Sequence, residues 1–227
     1  MSDATAAFRA GRNGMTRFLP LSLALCLVAG NVHAAPPATA LDTYLSDVKT
    51  LRTQFRQVVT DSGGQVVQQA TGSLLIKRPG RFRWELTPEG SDSPQLMVAD
   101  GRNLWFYDRD LEQVSVKSAA SALTATPASL LSGDVKLTEF FDVSADGKRD
   151  DLNWVRVVPK RGDADFREAR LGFRGTGGEL RRMVLRDKLG QTVTLDFATS
   201  ERNVSVADAE VSFTPPPGAD VIGTAVP

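Results

Sequence analysis

The chain has 227 residues, 41% of them hydrophobic, with 27 basic and 27 acidic side chains and a pI near 6.6. That length suits one large or two small domains. The balanced charge excludes a nucleic-acid binder, which needs a surplus of Lys and Arg to displace counterions. Arg9, Arg12 and Arg17 precede the apolar run "FLPLSLALCLVAG", residues 18–30, and "NVHA" follows it. A charged region, an apolar region of about a dozen residues and an A-x-A-like site at Val32-His33-Ala34 predict a cleavable secretory signal peptide over residues 1–34. Met15 offers an alternative start of ordinary signal length, and the run is too short to span a membrane. A lipid-attachment reading of "LALC" fits poorly, because Leu25 stands where a small residue is needed and the apolar run continues past Cys26.

Removal of residues 1–34 would change the available chemistry. The one Cys and the one His of the chain are Cys26 and His33. Residues 35–227, expected to form a single domain, then have no thiol nucleophile, imidazole base, disulfide or His/Cys zinc site. Three arginines and only one aspartate (Asp3) leave with the signal, so the remainder carries a slight excess of acids.

After "APPATA", Leu41, Tyr44, Leu45, Val48 and Leu51 recur at three- and four-residue spacing, which predicts one amphipathic helix. Period-two segments follow: "TQFRQVVT", "VVQQATGSLLIK", "RFRWELT", "QLMVAD", "NLWFYD" and "EQVSVK". The separators "DSGG", "RPG", "PEGSDSP", "DG" and "RDL" are turn sequences, so the pattern predicts an antiparallel meander or barrel. "SAASALTATPASLLSGD", residues 118–134, interrupts it with one or two short helices, Pro127 near a start and Gly133 after an end. Strands resume at "LNWVRVVP", "FREARLGF", "LRRMVLRD" and "QTVTLDFA", with "ADGK", "GTGG" and "KLG" as turns. "SVADAE" reads as a helical turn, "VSFT" as the last strand and "PPPGADVIGTAVP" as an extended tail.

A barrel-like sheet of about ten strands encloses a space, which helical segments could plug. Phe82, Trp84 and Leu86 share one face of their strand, with Arg81, Arg83 and Glu85 on the other. In "NLWFYD" both faces are apolar, Leu104/Phe106 and Trp105/Tyr107. Either a strand covered on one side and lining a cavity on the other, or a two-sided core, would produce this pattern.

"GSLLIKRPGRFRWEL", "DGRNLWFYD", "TPASLL" and "VSFTPPPG" resemble, in that order, the periplasmic outer-membrane lipoprotein carrier family, LolA. The resemblance spans nearly all of residues 35–227. It implies a mainly β fold, an incomplete antiparallel β-barrel whose short helices form a lid over an apolar cavity for lipoprotein acyl chains. It implies that Arg78 hydrogen-bonds lid carbonyls and holds the empty cavity shut, and that Phe82 sits at the cavity mouth. Trp84, Met97, Leu104 and Phe106 are then cavity or wall residues. The implied partners are acylated lipoproteins, an inner-membrane ABC lipoprotein-releasing complex and an outer-membrane receptor, met by a monomer in the periplasm without cofactor or metal.

The physics of the cargo agrees. A lipid-modified protein exposes dozens of methylenes, each contributing about 0.8 kcal/mol when buried, so unaided release from a membrane is negligible. The sequence has no G-x-x-x-x-G-K-[ST] phosphate loop, so the work must come from a partner. An enzyme is the competing class, but no G-x-S-x-G elbow occurs, and Asp163/Asp165 and Glu85/Glu89 read as solvated turn and strand charges. The outer-membrane receptor of the same fold is a nearer alternative, disfavoured by the poor lipid-attachment site. An envelope-stress sensor domain would require a substantial further domain. The cations of "IKRPGRFRWEL" have two readings. Lys77, Arg81 and Arg83 form a docking rim for an acidic surface, or they guard a sheet edge against aggregation.

Overall fold

Side chains alternating in hydrophobicity every second residue can bury one face only by pairing strands into a curved sheet. The computed structural model describes residues 39–119, 127–133, 137–162, 164–175 and 178–227. Its sheet has thirteen strands: β1 (Thr50–Thr60), β2 (Val66–Lys77), β3 (Arg81–Pro88), β4 (Gln95–Asp100), β5 (Asn103–Asp108), β6 (Gln113–Ser118), β7 (Phe141–Arg149), β8 (Leu152–Pro159), β9 (Phe166–Arg174), β10 (Glu179–Asp187), β11 (Thr192–Phe197), β12 (Glu201–Arg202) and β13 (Asp220–Ile222). The order is β13-β6-β5-β4-β3-β2-β1-β11-β10-β9-β8-β7, with β12 beside β1. The two ends do not pair, so the barrel is incomplete, as the resemblance implies.

Among the described residues, the α-helices are α1 (Ala40–Asp47), α2 (Pro127–Ser132) and α3 (Leu137–Phe140). Thr39 and Asp42 form a reciprocal capping box that starts α1. The helix is shorter than its periodicity suggests, because Val48 is already extended and Leu51 lies in β1. Leu51 nevertheless reaches the same core, by strand alternation instead of helical pitch. α2 begins at Pro127 and is followed by Gly133 with φ +65°, a left-handed position that favours glycine. The expected helical region from 118 to 134 includes residues 120–126 and 134, which lie outside the described residues.

Three expectations are corrected. "ADGK" is not a turn between strands. It lies within β7, where a register shift between Ala145 and Lys148 absorbs one extra residue. "VSFT" joins no ladder: a 3-10 turn covers Asp208–Val211, and Phe213 follows as irregular chain. The tail supplies β13, which pairs parallel with β6. These elements raise the strand number above ten.

One continuous core fills the concave side, joining Phe55, Leu74, Ile76, Phe82 and Trp84 to Leu171, Phe173, Leu195 and the helical residues Leu41, Tyr44, Leu130 and Leu131. A second cluster covers the convex side of β4–β6, where Leu96, Val98, Trp105, Val114 and Val116 meet Phe213 and Ala219 of the C-terminal segment. The two apolar faces of β5 are thereby explained: Leu104 faces the main core, while Trp105 and Tyr107 pack on Phe213 at ring distances of 5.7 and 5.9 Å. The Trp105 indole donates to Asp100 at 2.7 Å, and Asp100 also accepts the Arg102 and Asn103 amides, which ties the "DGRNLW" turn to the wall.

Gly72, midway along β2, marks the tightest approach in this wall. A Cβ there would stand 2.2 Å from the Glu85 carbonyl oxygen and 2.4 Å from Cζ of Phe55. The carbonyl belongs to the paired backbone and cannot rotate away. Gly72→Ala should therefore destabilise the protein by roughly 1–3 kcal/mol in denaturant unfolding, whereas an unchanged midpoint would mean that the β2–β3 pairing yields at this position.

Candidate functional site

The hairpin between β2 and β3 carries Arg78, followed by a cis Arg78–Pro79 peptide bond. The Arg78 side chain turns into the space under the helices. Its Nη1 donates to the carbonyls of Tyr44 at 3.0 Å, Leu45 at 3.1 Å and Val48, and its Nη2 donates to the carbonyl of Leu131 at 2.7 Å. These acceptors lie at the C-terminal ends of α1 and α2, where helices run out of amide donors; the Tyr44 carbonyl also accepts the Val48 amide at 3.1 Å. Neither helix has a basic residue in its last turn, so one guanidinium supplies the positive end for both. Gly133 permits the approach, since a Cβ there would lie 3.1 Å from Arg78 Nε. The role that the resemblance implies for Arg78 thus has a geometry that can perform it.

Tyr44 contributes more than its carbonyl. Its ring lies 4.5 Å from the guanidinium carbon and its other contacts include Phe173 at 5.7 Å. Burial pushes the Tyr44 phenol up to about 12, although the neighbouring Arg78 charge pulls the other way. Burial likewise lowers Arg78 from the usual arginine range, with Tyr44 opposing the shift. Among the described residues, Tyr44 Oη and Arg78 Nε have no hydrogen-bond partner. α1 is also fastened through Asn203, whose amide donates to the Asp47 carbonyl at 3.0 Å and accepts the Lys49 amide at 2.7 Å.

Beneath this roof, the register places the apolar candidates in two rows across the concave face. Phe82, Ala99 and Leu104 form one row, and Trp84, Met97 and Phe106 form the next. The second row, with Leu86 and Ala128 of α2, lines an apolar cavity of about 160 Å³ whose polar margin is Gln57 and Gln95. Phe82 is 2% exposed within the main core. In this closed arrangement it is enclosed, not at an opening. A larger depression of about 530 Å³ lies on the sheet beside Gln54, Arg56, Glu85 and Asp196. Its charged and amide lining does not suit hydrocarbon, which directs attention to the smaller concave cavity.

The basic candidates point away from that cavity and have acidic neighbours. Lys77 and Arg81 both bond Asp208 of the 3-10 turn, at 2.6 and 2.7 Å, and Arg83 bonds Glu85 at 2.8 Å. Lys77 also donates to the Val206 carbonyl. The hydrogen bond from Lys77, with the Arg81 charge, holds the Asp208 carboxyl below its ordinary range. Asp208, Asn203 and the Tyr44 ring escaped the sequence reading. The one available hint was the absence of a cation at the end of α1.

Fold and site together define a half-barrel with an apolar interior, roofed by helices whose C-terminal ends one arginine joins. The family model described as outer membrane lipoprotein carrier protein LolA matches residues 46–214. An outer-membrane lipoprotein carrier protein of Dechloromonas aromatica is 42% identical over 183 residues, covering 81% of this chain and 86% of its own. One from Nitrosomonas europaea is 39% identical over 211 residues, covering 92% and 99%. An uncharacterized conserved protein of Thermus thermophilus shares the fold with TM-score 0.52 at 13% identity, over 81% of this chain and 96% of that one. The chain belongs to the LolA family of outer membrane lipoprotein carriers.

Tyr44 and Tyr107 are the chain's two tyrosines. The raised Tyr44 value means that the unfolded state releases this proton near pH 10 while the folded state holds it to about 12. Its contribution to stability is therefore complete below pH 10 and declines by on the order of 2 kcal/mol as pH rises to about 12. Tyrosinate absorbance should show a late alkaline component in the native protein, and Tyr44→Phe should remove it. Persistence of that component in the variant would place it elsewhere.

Proposed function

We propose that the protein is a soluble periplasmic chaperone that shields lipoprotein acyl chains in the concave cavity and delivers them to an outer-membrane receptor. The observation that carries this reading is Arg78, which joins the ends of two roof helices above an apolar interior. Residues 1–34 serve as the export signal and residues 35–227 as one carrier domain. An inner-membrane ABC complex supplies the work of loading, and the carrier itself performs no catalysis. An intact mass corresponding to residues 35–227 without lipid supports export as a soluble protein. A lipid-modified product contradicts it.

A cavity of about 160 Å³ matches the size that holds one benzene-sized molecule. Full acyl chains require more, so loading must lift the roof and break the four Arg78 bonds. Phe82, Trp84, Met97, Leu104 and Phe106 then become the apolar lining, while Trp105 and Tyr107 remain covered by the C-terminal segment. A partner that docks on Lys77, Arg81 and Arg83 through acidic groups would compete with Asp208 and Glu85 for them. Each pair is at least partly open to solvent and therefore weak, so such an exchange is easy.

The closing bonds oppose loading and favour release. Hydrogen bonds to a charged group contribute about 1.5–3 kcal/mol, and loss of about 1.4 kcal/mol of closing free energy tightens apparent binding tenfold where the closed state dominates. Arg78→Leu should lower the thermal stability of the empty protein, yet accumulate cargo and hand it over at least tenfold more slowly. Transfer from donor membranes to receptor over time measures this directly. A folded Arg78→Leu protein releasing cargo at the wild-type rate would remove Arg78 from the latch.

Binding itself has a separate test. A hydrophobic fluorophore should enter the cavity of the purified protein in detergent-free buffer, and an acylated lipoprotein should displace it. Trp84→Glu places a carboxylate against Met97 and Phe106, where ionisation is opposed by burial, and should weaken the probe by at least tenfold. Equal binding by wild type and a folded variant would locate the ligand elsewhere.

A further inference from the structure

Tyr44 is fully enclosed, yet its hydroxyl finds no hydrogen-bond partner among the described residues. A buried tyrosine ordinarily satisfies that group, because leaving it unpaired is costly. The phenol oxygen feels the Arg78 guanidinium without a hydrogen bond of normal geometry, so the defined contact of this side chain is made by its ring. One flank stands 4.5 Å from the Arg78 guanidinium carbon, and Phe173 braces the ring at 5.7 Å. Gly178 lets α1 seat closely behind it, since a Cβ there would come within 3.3 Å of the Tyr44 amide nitrogen.

The guanidinium needs such a support. An arginine side chain has many rotamers, and only a narrow set of orientations can reach the Leu45 and Leu131 carbonyls together. Arg78 Nε is itself unpaired, so no bond from that atom sets the plane of the fork. An aromatic face attracts a cation to a defined position, most strongly where water is excluded.

We propose that Tyr44 is the positioning residue of the latch: its ring holds the Arg78 guanidinium where one fork spans α1 and α2, and so sets how readily the roof opens. Tyr44 belongs to α1, so lifting this helix withdraws the aromatic face and three of the carbonyl acceptors in one movement. The coupling makes opening more nearly all-or-none. This inference rests on the reading of Arg78 as a latch and adds the residue that orients it.

The test loads a fluorescent diacylated lipopeptide onto the purified carrier and follows its release after addition of excess unlabelled lipopeptide. Tyr44→Leu should slow release roughly three- to twenty-fold, the range spanned by a desolvated cation–π contact. Tyr44→Phe keeps the ring and should release at the wild-type rate. In an Arg78→Leu background, Tyr44→Leu should add no further slowing, since its effect passes through the missing guanidinium. Phenylalanines bearing successive ring fluorines at position 44 weaken the negative ring face at nearly constant volume, and should slow release stepwise even if Tyr44→Leu does not fold. Wild-type release across the fluorinated series overturns the proposal, as do effects of Tyr44→Leu and Arg78→Leu that simply multiply, the mark of a packing role. An Arg78→Leu protein that releases normally overturns the latch reading itself. Slow release by Arg78→Leu with no response to any change at Tyr44 overturns only the positioning role.

Discussion

A half-buried guanidinium and the carbonyls of two helix ends each need partners, and the seating of the helices on the sheet depends on their meeting. Removing Arg78 from water is costly unless its donors are satisfied. The carbonyls at the ends of α1 and α2 carry the same requirement with opposite polarity. Their partners lie 30 to 53 residues away from Arg78 in sequence, so the bond network exists only when the roof sits on the sheet. The network is consequently a property of the assembled fold.

The sheet provides the frame against which the roof closes. Strands β4 and β5 are apolar on both faces, and the two faces have different tasks. Trp84, Met97 and Phe106 line the cavity, whereas Trp105 and Tyr107 are sealed by Phe213. The C-terminal segment acts as the outer skin of the cavity wall. It is tied down by Lys77 and Arg81 through Asp208, by Arg52 through Glu210, and at its far end by Asn103, which brackets the Val226 backbone with two hydrogen bonds. Lys77 and Arg81 flank the Arg78 turn, so the same ion pairs that hold the skin also steady the hairpin that carries Arg78. Surface pairs of this kind contribute little to global stability, but they restrict where the hairpin can move.

Much of the fold could be read from the chain because β alternation is a local signal. Most strands lie where period-two segments and their turns place them, and Pro127 and Gly133 bracket α2. The failures have local explanations too. Gly147 and its neighbours look like a turn, but a bulge accommodates them inside β7. Val211 and Phe213 alternate like a strand, yet Val211 is buried in one cluster and Phe213 packs half-buried against another, so packing takes the place of ladder bonds. Val221 and Ile222 form too short a segment to announce β13, whose existence depends on the exposed edge of β6.

The sequence by itself determined that Phe82, Trp84 and Leu86 share a face opposite Arg81, Arg83 and Glu85, since adjacent residues of a strand point to opposite sides. It also determined that residues 35–227 have no thiol or imidazole chemistry, because composition needs no geometry. Only the tertiary structure decided which apolar face lines the cavity, that Phe82 is enclosed, and that Lys77 and Arg81 meet Asp208. It alone brought the Tyr44 ring to Arg78 and Arg78 to Leu131. Those outcomes turn on register, sheet curvature and contacts between distant segments, and a local pattern carries no information about which remote carbonyl or carboxylate will complete it.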